Sequence, residues 1–336
     1  MTPCFHPKLV NGPFQDPALY IDFLYQRRAL LFDIGDITTL STREIHKITE
    51  VFVSHTHMDH FIGLDHMLRL FLGRDKLLTI YGPPMIISNV AGKLSAYTWD
   101  LVENYDYKFE IMVVEIHPDH LERAIFRCHN VFKQEDISEA TPFTQILIDE
   151  EEFGVRALLL DHSTPCLAFC FEERFHINIK KDRLDILGLP AGPWLNQLKK
   201  AVREERPDEF PLVIPDNKAK GMQGRKRTLS WIKGKDLYSV SRGHKIVYIV
   251  DIGYTPKNLS ILIPFAKGAD YLFCEAAFLE EDRDIAEKKH HLTAHQAGLI
   301  AREAGARKII PFHFSPRYQD RLDLLYKEAE AAFKAV

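Results

Sequence analysis

His55-Thr56-His57-Met58-Asp59-His60 follows directly on the apolar run Val51-Phe52-Val53, and the fold and the chemistry both hang on this stretch. Three imidazoles and a carboxylate fall within six residues, on a tight loop at the C-terminal end of an expected strand. A borderline-soft divalent ion such as zinc favours imidazole nitrogen and carboxylate oxygen. Alternating residues of an irregular loop can face one ion and the rest its neighbour. Three more residues each close an apolar strand: His162 after 157–160, Asp251 after 246–250 and His313 after 309–312. Open α/β sheets build their sites at the carboxyl ends of strands. Together with the loop these positions supply five histidines and two aspartates, enough for a two-metal site.

The rest of the chain has the rhythm of an α/β protein. Residues 18–32 (ALYIDFLYQRRALLF) suit two buried strands joined by a turn near Gln26 and Arg27. Apolar residues then recur with helical spacing from Phe61 to Phe71 and on either side of Ser95, with a strand around 77–81 between them. Residues 109–171 hold short β-like runs (IMVVEI, AIFRC, TQILI, VRALLL, CLAFCF) that predict an antiparallel-rich segment. From Lys245 the first rhythm returns: IVYIV, a helix opened by Thr255 and Pro256, YLFC, a helix from about Thr293, KIIPF and a last helix. Between these halves, residues 176–242 carry five prolines (Pro190, Pro193, Pro207, Pro211, Pro215) and dense charge, which predicts an insertion protruding from one domain spanning 1–336.

Composition narrows the class. The chain has 336 residues, 46% of them hydrophobic, and 43 basic against 47 acidic side chains give a net charge of −4. That excludes disorder, collagen-like repetition and a globally basic nucleic-acid binder. No apolar run approaches the roughly 18 residues of a membrane helix, and prolines stand where a signal peptide needs an apolar stretch. The five cysteines (Cys4, Cys128, Cys166, Cys170, Cys274) are spaced neither as a zinc ribbon nor as a redox pair. Free thiols and a cytoplasmic setting are expected.

The ordered segments HTHMDH (55–60), DHSTP (161–165), VDIG (250–253) and PFHFSPRY (311–318) resemble the motifs of the metallo-β-lactamase fold, and specifically of the ribonuclease Z (tRNA 3′-end endonuclease) family. GLDHMLR, LTIYGPP, GLPAGP (188–193), FCEAAF (273–278) and HLTAHQA (291–297) extend that resemblance over most of the chain. It implies an αββα sandwich with a protruding arm, a homodimer, and two Zn2+ per chain, with Mn2+ or another divalent metal an alternative. One ion would take His55, His57 and His162, the other Asp59, His60 and His313, with Asp251 bridging. The chain departs from the family pattern at its opening glycine-rich segment, at FDIGDITTL (32–40), and at Cys274 and Ala277 around Glu275.

Two zinc ions about 3.5–4 Å apart can hold a phosphodiester oxygen, activate water near neutral pH and stabilise the developing charge. The resemblance lets Asp59 orient that water or take its proton while binding metal. The departing alkoxide needs a general acid. His291 is the candidate, set just ahead of a capping box beginning at Thr293, and Glu275 resembles the family carboxylate that pairs with it. Asp33 in FDIG is expected to shape the loop or support a ligand rather than bind metal. In the insertion, Lys218, Lys220, Arg225, Lys226, Arg227, Lys233 and Lys235 surround Trp231 with no acid among them, which suits an RNA backbone or a solvated loop. Gly188, Pro190, Gly192 and Pro193 resemble the glycine-proline motif of the family's arm, which clamps tRNA away from the active site. The expected function is therefore zinc-dependent cleavage of precursor tRNA at its 3′ end by a metal-activated water. The competing readings are a hydrolase of a small ester, such as a cyclic nucleotide phosphodiesterase, and a non-enzymatic RNA-binding module.

Overall fold

The protein's structure, a computed structural model, describes residues 5–24, 26–215 and 224–335. Among these the first sheet has eight strands in sequence order: β1 (Phe5–Leu9), β2 (Leu19–Phe23), β3 (Ala29–Phe32), β4 (Ile48–Phe52), β5 (Lys76–Gly82), β6 (Phe109–Ile116), β7 (His120–Arg127) and β8 (Gln134–Pro142). Strands β3 to β6 run parallel, and the hairpins β1–β2–β3 and β6–β7–β8 flank them antiparallel. The chain continues through β9 (Ile146–Asp149), β10 (Phe153–His162) and β11 (Thr164–Glu173). It then passes through four short strands, β12 (Phe175–Ile179), β13 (Pro211–Ile214), β14 (Arg225–Thr228) and β15 (Tyr238–Arg242), and returns as β16 (Lys245–Ile249), β17 (Tyr271–Glu275) and β18 (Ile309–Phe312). The second sheet has the order β18-β17-β16-β11-β10-β9, with β16, β17 and β18 parallel.

The central strands are apolar on both faces where both are covered, at Ala29–Phe32 and at Val51 and Phe52. Leu31, Val51, Ile80, Ile111 and Val113 pack under the helices Leu64–Phe71 and Ile86–Ser95. On the opposite face, Phe32 and Phe52 lie 5.7 and 5.6 Å from Phe169 of the second sheet, and Phe32 lies 6.1 Å from Tyr248. The far face of the second sheet is covered by the helices Pro256–Ala266, Ala294–Glu303 and Leu322–Lys334 around Leu262, Ile300 and Leu325. The layers are helix, sheet, sheet, helix. Thr255 caps its helix with Pro in the first turn, and Thr293 and Gln296 form the capping box. None of the described helices is long and apolar enough to cross a membrane.

Residues 148–154 and 172–244 form a compact unit of their own, distinct from the sandwich and wider than the stretch 176–242. Inside it β12 pairs with β15 and β13 with β14, over a small core of Leu184, Trp194, Leu198, Leu212, Leu229 and Ile232. The described part of the basic run is not a loop: residues 225–228 are strand β14 and 229–234 a helix capped by Thr228. Pairing with β13 supplies the order that the charged sequence of β14 does not suggest. One other expectation changes: the helix around Ser95 stops at that residue. Strands β1 and β8 form without dense apolar runs. Cys128, Cys166, Cys170 and Cys274 are free and buried, while Cys4, Lys218 and Lys220 lie outside the described residues.

Candidate metal centre

Six strand ends of the sandwich deliver the site. Strand β3 ends before Asp33, β4 before the loop 53–60, β10 at His162, β16 before Asp251, β17 at Glu275 and β18 before His313. Asp33, Asp251 and His313 all adopt left-handed backbone, with φ of 56°, 48° and 57°. Asp and His tolerate that region better than most side chains, yet strain of this kind costs of order 1–3 kcal/mol per residue and persists where the surroundings enforce it. The FDIG loop lies directly on the histidine loop: Ile34 N donates to His60 O (2.9 Å) and Gly63 N to Ile34 O (2.9 Å). A Cβ on Gly35 would stand 2.3 Å from Asp59 O, and one on Gly63 2.2 Å from Gly35 O, so only glycine permits this approach.

Asp251 is the centre of the cluster. Its Oδ2 lies 3.3 Å from His55 Nε2, 3.4 Å from His60 Nε2 and 3.6 Å from His162 Nε2, and its Oδ1 lies 3.2 Å from His313 Nδ1. Asp59 Oδ2 lies 3.3 Å from His313 Nε2 and 3.5 Å from His60 Nε2. Candidate ligand atoms thus gather in three overlapping groups: His55, His57, His162 and Asp251; Asp59, His60 and His313; and Asp251, Glu275, His291 and His313. His55 Nε2, His60 Nε2, His313 Nδ1 and Asp251 Oδ1 are buried without a hydrogen-bond partner. Buried polar atoms are rarely left so, and here they point at one another as a cation's ligands do. The residues present therefore fit a divalent metal centre.

The opposite edges of the imidazoles are fixed. His60 Nδ1 meets Asp33 Oδ2 at 2.9 Å, His162 Nδ1 donates to His290 O at 2.7 Å, and His55 Nδ1 lies 3.1 Å from Ser54 Oγ. Asp33 is fully buried and also accepts from Ser54 N (2.6 Å), Ser54 Oγ (2.9 Å) and Tyr248 OH (2.9 Å). These contacts leave the Nε2 atoms for a metal, the usual arrangement of ligating histidines. Sequence reasoning passed over Ser54, Tyr248 and the His290 carbonyl. The one signal available was a tyrosine in the middle of the apolar run IVYIV.

The protonation of the cluster follows from its crowding. Burial alone would raise Asp251, but His313 and His60 hold it well below the usual carboxylate range. Burial also works against Asp59, and His313 and His60 outweigh it and hold that carboxyl down. Burial would depress His60, and Asp251 with Asp33 pushes it well above its ordinary value. His162, where burial dominates, falls to about 4.

His291 stands beside the cluster, its Nδ1 2.8 Å from Glu275 Oε2 and 3.6 Å from Asp251 Oδ1. Fully buried Glu275 is anchored at its other oxygen by Ile252 N at 2.7 Å. Burial would lower the His291 pKa, but the charge and hydrogen bond of Glu275 raise it to about 9. His291 opens, with Asp59, His313, Lys289, Phe278 and Phe314, onto an open cleft. Ala277 also lines that cleft, whereas Cys274 is buried in the core behind it.

The other singled-out residues lie in the separate unit. Gly188 (φ 64°) ends the helix Lys181–Ile186, and Pro190 O accepts from Trp194 Nε1 at 2.8 Å, so the segment with Gly192 and Pro193 turns the chain into the helix Trp194–Arg203. Arg225 and Lys226 are exposed on β14. Arg227 sits 5.0 Å from the centre of the Trp231 ring and Lys235 5.9 Å from it, so cations already occupy the aromatic expected to be free for stacking. Lys233 is paired with Asp208 at 2.6 Å.

The sandwich and its strand-end cluster define a metal-dependent hydrolase of the metallo-β-lactamase fold. The structure is similar to that of the metallo-β-lactamase fold protein YhfI from Bacillus subtilis (TM-score 0.55, 17% identity, 98% of this chain and 92% of that one). It is also similar to the short form of human tRNase Z (TM-score 0.52, 18% identity, 94% and 93%). No protein-family model matches the chain. In sequence it is 30% identical to ribonuclease Z of Halalkalibacterium halodurans over 94% of this chain and 87% of that protein, and 29% identical to that of Deinococcus radiodurans over 97% and 95%. The chain belongs to the ribonuclease Z family, and it is a metal-dependent endoribonuclease.

Proposed function

We propose that this protein is a dinuclear zinc enzyme that cuts precursor tRNA at its 3′ end, with His55, His57 and His162 holding one ion, Asp59, His60 and His313 the other, and Asp251 shared. The observation that carries this reading is the buried Asp251 carboxylate, whose two oxygens face different histidines across ligand atoms that have no hydrogen-bond partner. When bound, the two cations lower the pKa of the attacking water and neutralise charge developing on the phosphodiester. Asp59, with its carboxyl held ionised by His313 and His60, orients that water and accepts its proton. His291 presents the ring edge away from Glu275 to the leaving oxygen and protonates it. Its pKa of about 9 in the metal-free chain supports the protonated form that this role needs. Glu275 does not touch substrate; it holds the His291 ring and favours its charge.

The unit of residues 148–154 and 172–244 is the inserted arm in this reading, with Gly188, Pro190, Gly192, Pro193, Arg225, Lys226 and Arg227 contributing to the grip on RNA. A cytoplasmic homodimer is the proposed working form. Incubating the metal-loaded protein with precursor tRNA carrying a 3′ trailer, and separately with cyclic nucleotides, tests the substrate. Trailer removal is expected; hydrolysis of cyclic nucleotides alone would overturn the assignment in favour of a small-ester hydrolase.

A further inference from the structure

The tip of the β6–β7 hairpin carries a second cluster, outside the centre described above. Glu115 pairs directly with Glu122 and Ile116 with Leu121, and His117 N donates to His120 O at 2.9 Å, so Pro118 and Asp119 form a two-residue turn. Side chains alternate along a strand. Residues 111, 113, 115 and 117 therefore share a face with 120, 122, 124 and 126. The inner part of that face is core, made by Ile111, Val113, Ala124 and Phe126. Its outer end changes character abruptly, to Glu115 opposite Glu122 and His117 opposite His120. Two carboxylates placed directly across an antiparallel pair repel and destabilise it. The two imidazoles are parallel, with centres 4.4 Å apart and 1° between planes.

The ligand atoms of His117, His120 and Glu122 converge, and Glu115 stands beside His117. His117 Nε2 lies 3.1 Å from Glu115 Oε1 and 3.9 Å from Glu122 Oε2, and His120 Nε2 lies 3.3 Å from Glu122 Oε1. His117 Nε2 is shielded from solvent and makes no hydrogen bond, because Glu115 is near it but misaligned. His120 Nδ1 is 2.7 Å from Asp119 Oδ1, which commits that nitrogen and leaves Nε2 facing the cluster. Glu115 is pinned by its other oxygen, which accepts from Ile87 N at 3.1 Å. Neighbouring ligands around a tetrahedral ion with bonds of about 2.0–2.1 Å stand roughly 3.3–3.4 Å apart. The observed separations bracket that spacing.

We propose that His117, His120 and Glu122 bind one transition-metal ion at the hairpin tip, with a position left for water. Two imidazoles with a carboxylate favour zinc over magnesium or calcium, which prefer all-oxygen sites. The ion ties β6 to β7 and offsets the charge that Glu122 sets against Glu115. Its role is structural.

The test titrates chelator-treated protein with zinc against a chromophoric competitor, in four forms: wild type, His117→Ala/His120→Ala, Asp251→Ala and the triple variant. The hairpin variant is expected to take up one equivalent less than wild type with hydrolysis retained, and the triple variant one less than Asp251→Ala. Glu122→Gln, which alters a single exposed side chain, is expected to weaken that one equivalent at least tenfold. An anomalous difference peak at the zinc edge between His117 and His120 would locate it. Equal zinc uptake by wild type and the hairpin variant would overturn the proposal, and does so whatever becomes of the Asp251 centre, because the Asp251→Ala pair is counted separately.

Discussion

Replacing Asp33 by Asn isolates the contribution of a residue that holds a ligand without binding metal. The two carboxylate oxygens of Asp33 take four hydrogen-bond partners, Ser54 N, Ser54 Oγ, Tyr248 OH and His60 Nδ1, in a fully buried position. Asn keeps the volume but offers one acceptor oxygen with two lone pairs and brings two donor hydrogens. The Ser54 hydroxyl can turn and accept from the new amide. Of the three remaining donors two are satisfied; the third and the second amide hydrogen are left buried without acceptors, at about 1–3 kcal/mol of folding stability each. His60 also loses the charged partner that aims its Nε2 between Asp59 and Asp251. Losing such a partner typically weakens metal binding 10–100-fold, or about 1.4–2.8 kcal/mol. Urea unfolding of the chelator-treated protein reads the first quantity, and competition with a chromophoric chelator reads the second. Tyr248→Phe removes one of the same bonds and no charge, so it should lower stability while leaving metal affinity closer to wild type. An Asp33→Asn protein that is destabilised but binds metal within twofold of wild type would refute the orienting role.

Four further outcomes are expected. Elemental analysis of the His117→Ala/His120→Ala protein, which leaves the strand-end centre untouched, should find close to two transition-metal ions, and adding Asp251→Ala should remove both together with activity; a fully loaded, active variant is incompatible with a shared ligand. His291→Ala should keep its metal while cleavage slows by roughly 10²–10⁴-fold, and an emptied centre would make His291 a ligand instead. In the metal-free protein the His291 pKa of about 9 lies above its unfolded value of roughly 6.5, so its stabilising contribution is complete below pH 6.5 and is lost as pH rises through about 9. Denaturation at stepped pH should show that loss in wild type and a flatter profile in Glu275→Gln. Neutralising Arg225, Lys226 and Arg227 should weaken precursor-tRNA binding and reduce the log–log salt slope by about 1 for each phosphate that is no longer neutralised, with hydrolysis of a small generic phosphodiester preserved; an unchanged slope would remove these residues from the RNA surface.

The local sequence determined a good deal of this protein. The histidine loop, the residues that close apolar strands, and the helix starts at Thr255 and Thr293 are all set by neighbours within a few positions, where side-chain chemistry and backbone preference act directly. The two-layer burial of β3 was legible as well, because a strand covered on both faces is apolar throughout. Tertiary structure decided which nitrogen of His55, His60 and His162 is free. That depends on Asp33, Ser54 and the His290 carbonyl, and on Tyr248, which meets Asp33 across 215 residues of chain. It likewise decided that the FDIG loop lies against the HTHMDH loop so closely that Gly35 and Gly63 have no room for a side chain. Strands β1 and β8, with few apolar residues, draw their conformation from the partner strands beside them rather than from their own composition. The hairpin cluster is the same lesson in miniature: His117 and His120 look ordinary three residues apart, and only the antiparallel register that sets Glu115 against Glu122 turns them into one site. Ligand spacing along a chain is local information, whereas the orientation of a ring and the meeting of two strands are fixed by neighbours that no short stretch of sequence contains.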